Sequence, residues 1–270
     1  MRLINSKPSR PVALLLAALP FVVVCVIYSI SSELRLAVNP QDRLLPAPAT
    51  IWDTAIRLFT EPERRSGQIL LWRDTGASLF RLLSGVAIAA ALSLVLGVLI
   101  GLLPYMRRTL SDFVAVLSMV PPLALLPILF IMFGLGELSK IVLIVIGTAP
   151  VMTRDMAQRV IEIPREQIIK AQTLGASSLV IALRVVLPQI LPRLISNVRL
   201  SLGTAWLFLI AAEAVASELG LGYRIFLVRR FLAMDIILTY VIWITLLAFL
   251  LDWMLRALSR RAFRWAEASL

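Results

Sequence analysis

Apolar residues in this chain fall into long uncharged blocks separated by short polar, mostly basic stretches. The first block, Pro11–Ile30, follows Arg2, Lys7 and Arg10. It is longer than the apolar core of a signal peptide and no small-x-small cleavage site follows, so it reads as a retained helix entering from the cytoplasm. Leu82–Leu103 and Phe113–Phe133 are also uncharged, and each meets the roughly 20 apolar residues that a membrane-crossing helix needs. Pro104–Asp112, with Arg107 and Arg108, is the tight link between them. The fourth block, Ile141–Met152, has only 12 residues. At 1.5 Å per residue it covers about 18 Å of a core about 30 Å thick. Its helix must therefore run on into polar residues that neighbouring helices or water shelter. The fifth block, Leu200–Ser217, contains Glu213, and the sixth, Ile236–Leu251, ends at Asp252. The first three spans read as lipid-exposed or easily inserted, and the last three, which carry charge, as the inner part of a bundle.

The links carry their own patterns. Residues 31–74 are polar and proline-marked. Within them Trp52, Ala55, Ile56 and Phe59 recur at helical spacing along Ala49–Phe59. This predicts a short amphipathic helix, either lying on the membrane surface or packed on the bundle as a loop helix. The link 154–199 is the longest polar stretch in the second half, with seven basic residues and three acids. Gly97-x3-Gly101 matches the small-residue pattern of close helix contact.

Composition agrees with this reading. The 270 residues are 60% hydrophobic and 16% charged, with a mean hydropathy of +0.90. Soluble domains are about 45–50% apolar. A single all-α membrane bundle of about six transmembrane helices accounts for residues 1–270 and leaves no room for a second large soluble domain. An even span count puts both termini on one side. The N-terminal basic cluster and the tail Arg256, Arg260, Arg261 and Arg264 place that side in the cytoplasm. The net charge is +11, but the basic residues flank apolar runs, which suits anionic lipid headgroups rather than nucleic acid. There is no histidine and one cysteine, Cys25, which excludes His-based catalysis, internal disulfides and zinc sites.

The link 154–199 is where chemistry concentrates. Pro164 followed by Glu166 suits the first turn of a helix, with proline near its start and a carboxylate near the positive dipole end. Ala171 and Gly175 lie four apart and share a face. A short helix ending at glycine can dock closely into a groove, or serve simply as a capped connector.

The stretch Ala171-Gln-Thr-Leu-Gly-Ala176, followed by Val186-Leu-Pro188, resembles the signature loop of permease subunits of binding-protein-dependent ABC importers. The chain departs from that loop at Ile169 and Lys170, which stand where the family has Glu and Ala. Other stretches are similar to the nitrate/sulfonate/taurine branch: Ser78–Gly85, Pro121–Pro127, Phe133–Lys140, Ile210–Glu213 and Gly220–Tyr223. The resemblance covers roughly residues 45–265, with its core at about 75–260, and the N-terminal span 11–30 lies before it within the same single domain. It implies a type I importer permease of the bacterial inner membrane: six spans, a cytoplasmic coupling helix and a periplasmic amphipathic helix. It further implies a second copy of the chain, two ATPase subunits that carry ATP and Mg, and a periplasmic solute-binding protein. No Gly-x4-Gly-Lys-[Ser/Thr] phosphate loop occurs in the sequence, so no cofactor is expected in this chain. The implied solute is small: taurine, another sulfonate, nitrate or a related nitrogen- or sulfur-bearing compound.

On this resemblance Glu166, Lys170, Ala171, Leu174, Gly175 and Ala176 are the expected ATPase contacts. A translocation pathway between two copies is expected at Met119, Pro121, Pro122 and Thr148. Prolines there free backbone carbonyls, or act only as packing kinks. Glu213 is either a gating group or one half of a salt bridge to an arginine such as Arg81 or Arg224. Gly220 and Gly222 form the turn beyond the fifth span. Tyr223, Arg224 and Arg229 are expected either to meet the binding protein or to face lipid headgroups. The competing architecture is a stand-alone secondary transporter, which would need mid-membrane coupling groups and usually an internal repeat.

Overall fold

The computed structural model describes residues 9–40, 42–63 and 67–265. The basic residues Arg2 and Lys7 lie outside the described residues. Among the described residues there are helices and no strands. Five helices are long and apolar enough to cross a membrane: α1 (Arg10–Val38), α3 (Leu70–Leu102), α6 (Glu137–Ile161), the stretch ending in α9 (Leu187–Val215), and α11 (Met234–Ala262). A bent pair, α4 (Pro104–Leu117) and α5 (Leu126–Phe133), makes a sixth crossing when the two are counted as one span. The path turns by 82° at residues 118–121, between the end of α4 and a short 3₁₀ turn at Pro122–Leu125 that leads into α5.

That bend corrects the third predicted span. Phe113–Phe133 is not one helix, and Pro104–Asp112 is not a link. Pro104 sits in the first turn of α4, where its missing N–H costs nothing. Pro121 and Pro122 then break the helix, because neither can donate to the ladder and the residue before a proline avoids helical geometry. The second span also begins 12 residues earlier than its apolar block, at Leu70, and the fourth extends from 12 to 25 residues, as its shortness required.

One stripe of α3 holds the bundle together. Asp74, Ser78, Leu82, Gly85, Ala89, Ser93, Gly97 and Gly101 recur at three- and four-residue spacing and are all buried. This small and polar stripe lies along α6. A Cβ on Gly85 would overlap Ile144, one on Gly97 would overlap Met156, and one on Gly101 would overlap Val160. The Gly97-x3-Gly101 pattern is therefore a packing device. The core proper gathers Leu82, Leu143, Ile144, Leu209, Tyr240 and their neighbours from α3, α6, α9 and α11. α1 stands apart, with nearly every side chain exposed. It is tied at one end where Tyr28 and Ser32 donate to the carbonyls of Pro46 and Leu45.

The amphipathic segment forms α2 (Pro48–Thr60). Thr54 is buried and donates to Asp235 at 2.9 Å, while Trp52 and Ile56 stay exposed. Phe59 packs edge-to-face with Trp72 and Trp243, at ring distances of 5.6 and 4.8 Å. α2 is thus docked on α3 and α11 along one side and apolar outward along the other.

Candidate functional site

The two ends of the bundle carry different polar constructions. At one end α3 presents Asp74, Ser78 and Arg81 on one face, at i, i+4 and i+7. Opposite them Glu213 is fully buried in the last turn of α9, and Glu137 opens α6. Arg81, 2% exposed, donates from Nη1 to Glu213 Oε1 at 2.6 Å, and from Nη2 and Nε to Glu137. It also donates from Nη1 to the carbonyl of Leu219 at 2.8 Å. Ser78 Oγ lies 2.7 and 3.0 Å from the two Glu213 oxygens and accepts from the Leu221 N–H at 2.9 Å. The Gly222 N–H donates to Glu213 Oε2 at 2.8 Å. Both carboxylate oxygens of Glu213 are thereby engaged.

Asp74 forms the second half of the cluster. It accepts from the Gly220 N–H at 3.0 Å, from Arg224 Nε at 2.8 Å and from the Tyr240 hydroxyl at 3.4 Å. The turn between α9 and α10 (Leu221–Arg229) is therefore clamped by four charged side chains and three backbone N–H groups. Its geometry demands glycine: Gly220 has φ +131°, and a Cβ there would strike the Glu213 carboxylate. A buried charge without partners is unstable, so buried Asp74 and Glu213 each need the arginine that reaches them, while Glu137 joins Arg81 from an exposed position.

Sequence reasoning offered Arg81 and Arg224 as alternative partners of Glu213. Arg81 is the partner, and Arg224 pairs with Asp74. Ser78 and Glu137 stand in the stretches Ser78–Gly85 and Phe133–Lys140 without a role of their own, and Asp74 and Arg81 fall before the uncharged block. The signal that finds them is the spacing Asp74-x3-Ser78-x2-Arg81, in phase with the small-residue stripe that follows.

At the opposite end the chain leaves α6 and forms α7 (Arg165–Thr173), then α8 (Ser178–Ile181), then a π-turn at Ala182–Val186 that leads into α9. Pro164 is the residue before α7 rather than its first residue, and Glu166 lies in the first turn. Gly175 has φ +79°. Its N–H donates to Gln172 O at 2.9 Å and the Ala176 N–H donates to Ala171 O at 3.0 Å, the paired bonds of a glycine-ended helix. Ala171 and Ala176 turn inward onto a core of Ile163, Ile181 and Val186. Glu166, Lys170, Leu174 and Gly175 face outward, Leu174 with 87% of its surface exposed. The expected shared face of Ala171 and Gly175 is thus divided. Gln189 of α9 donates to Gln167 of α7 at 2.9 Å and fixes the corner to the span. Pro188 stands in the first turn of α9 and lacks an N–H, and the ladder relaxes through the π-turn just before it.

The expected pathway residues separate. Met119 and Pro121 are exposed on the α4–α5 break and Pro122 is half-buried. Thr148 is buried inside the chain, donating to Ile144 O at 2.7 Å, and does not share that surface. Of the expected binding-protein contacts, Arg224 is committed to Asp74, and Arg229 is exposed with its guanidinium 5.2 Å from the Phe226 ring. Tyr223 is half-buried, 5.7 Å from the Arg224 guanidinium.

Comparison with known proteins gives a consistent result. Residues 93–264 match the family described as binding-protein-dependent transport system inner membrane component. The chain is similar to the taurine transport system permease protein TauC of Escherichia coli strain K12, 39% identical over 72% of this chain and 71% of that one. It is similar to the bicarbonate transport system permease protein CmpB of Synechococcus elongatus, 31% identical over 87% and 83% of the two chains. Among solved structures, a chain of the inward-facing MetNI methionine ABC transporter shares the fold. Its TM-score is 0.57 at 23% identity, covering 68% of this chain and 93% of that one.

Proposed function

Because this chain belongs to the family of binding-protein-dependent transport system inner membrane components, we propose that it forms half of the translocation pathway of an ATP-driven importer. Two copies build the pathway. Two ATPase subunits, which carry ATP and Mg, seat on the α7 corners, and a solute-binding protein meets the end that holds the Arg81–Glu213 cluster. The chain is a permease subunit of the inner membrane and not itself an enzyme. The α7 end and both termini face the cytoplasm. A stand-alone secondary transporter is not favoured by the family.

One observation carries this reading: α7 is a short, glycine-ended helix that projects exposed side chains beyond the bundle while its root is bolted to two spans. Ile163 at the end of α6 and Ile181 before α9 are buried beneath it, and Gln189 holds Gln167. A push on Leu174, Glu166 or Lys170 passes into α6 and α9 together. Those same helices carry Glu137 and Glu213 at the other end. Such a coupling requires only that the ATPase favour one arrangement of the corner over another.

The second copy is placed against the bent α4–α5 face, where Met119, Ile131 and Met132 leave 74%, 85% and 67% of their surface uncovered. The taurine and bicarbonate permeases among its relatives support a small polar solute.

The test is uptake by the assembled complex in proteoliposomes. Gly175→Arg should insert normally yet abolish ATP-driven uptake and ATPase co-purification. Wild-type uptake by that variant would overturn the assignment of α7. Labelling of a Leu174→Cys variant from the cytoplasmic side only is the expected orientation result.

A further inference from the structure

Between the α5–α6 turn and the α9–α10 turn lies a polar cavity of about 510 Å³, lined by Arg81, Glu137, Lys140, Ser217 and Glu218 among others. It is at the end of the bundle opposite α7. Most of its charges are already spent. Arg81 is saturated by Glu137, Glu213 and the Leu219 carbonyl, and Ser217 donates to that same carbonyl. Two charges are not spent.

Lys140 is 2% exposed, yet its ammonium has only a long 3.4 Å bond to Leu135 O and a 3.9 Å approach to Glu137. An ammonium has three donors and ordinarily finds partners near 2.9 Å when buried. Glu218 lines the same cavity as Lys140 and is exposed, at its mouth. The cavity therefore offers an under-bonded cation at depth and a free carboxylate at its opening.

We propose that this cavity is a solute subsite for a small zwitterion, with the anionic head on Lys140 and the ammonium toward Glu218 and Glu137. The inference rests on the importer reading and names the class of solute. Charge balance decides against a simple anion. An anion alone on Lys140 leaves the Glu218 carboxylate unmatched and is repelled by it. A lone cation would meet buried Lys140. A molecule with a sulfonate or carboxylate two or three bonds from an ammonium satisfies both ends at once. It also supplies the short hydrogen bonds that Lys140 lacks.

The experiment is binding of radiolabelled taurine to the full permease–ATPase complex in nanodiscs, without the binding protein, with ethanesulfonate and ethylamine as competitors lacking one charge each. Each competitor should be weaker than unlabelled taurine by at least about tenfold, the loss of one charged hydrogen bond. Lys140→Met should weaken taurine by a similar factor, and Lys140→Arg should restore it. Glu218→Gln, at an exposed position that does not bear on folding, should collapse the preference for taurine over ethanesulfonate. Equal competition by ethanesulfonate, an unchanged Glu218→Gln variant or no taurine binding would each overturn the subsite. ATP-driven uptake is scored separately with the binding protein present. Uptake with no cavity binding sinks only the subsite, whereas no uptake of any delivered solute sinks the importer reading.

Discussion

Arg81 and Glu213, 132 positions apart in the chain, meet at 2.6 Å with both side chains buried. The pair ties the second crossing to the fifth, and through Glu137 it ties both to the fourth. Removing one partner strands the other in a place where water cannot reach it. Arg81→Met should therefore lower stability by about 3–5 kcal/mol, the usual cost of breaking a buried pair. The thermal midpoint of the purified complex measures it. The double variant Arg81→Met/Glu213→Leu should lose less than the sum of the single variants, because it strands no buried carboxylate at Glu213. Strict additivity would contradict the pairing.

Gly220→Ala should be disproportionately harmful for a methyl group. Backbone strain at φ +131° contributes about 1–3 kcal/mol, and the added Cβ also displaces the Glu213 carboxylate. Gly76→Ala is the internal control, since nothing lies within 4 Å of its Cβ. That exposed helical site should be neutral or gain up to about 1 kcal/mol. Comparable midpoints for the two variants would refute the tight-turn account.

Leu174→Asp separates coupling from folding. Its side chain is 87% exposed, so stability should stay within about 0.5 kcal/mol. Co-purification of the ATPase subunit should fall sharply. An undiminished yield of ATPase would move the contact elsewhere on the corner.

The loop after α1 should respond to acid. The Leu44 N–H donates to Asp42 at 2.9 Å and Arg35 donates to it at 2.7 Å, and these hold its carboxyl below the usual aspartate value. Because the folded value is depressed, the bond's contribution is fully present above about pH 4 and is lost as pH falls through the lowered value. Amide-exchange protection of Leu44 should hold from neutral pH to about pH 4 and drop below it. In Asp42→Asn the drop should vanish.

Much of this molecule was readable from spacing. The first span, the short fourth span that had to extend, the close contact at Gly97 and Gly101, and the glycine-ended corner at Gly175 all follow from local pattern. The early start of α3 was not readable by block hydropathy. Asp74 and Arg81 look too polar for a crossing until their partners Arg224, Glu137 and Glu213 are brought to them from far along the chain. The 82° break at Pro121 and Pro122 was hidden for the opposite reason: an uncharged block looks continuous, and only backbone geometry shows where the ladder fails.

What the sequence alone determined is the class of the protein, because uncharged blocks and breaker residues act on the backbone nearby. Tertiary structure decided which charges are paired and which are spare. Read along the chain, Glu213 is a lone charge in its apolar block, and Lys140 stands at the edge of another, three residues after Glu137. Packing saturates the first with Arg81, Ser78 and Gly222, and leaves the second facing a cavity with bonds unmade. Partners for a buried charge come from other helices, and no local pattern says which helices those are.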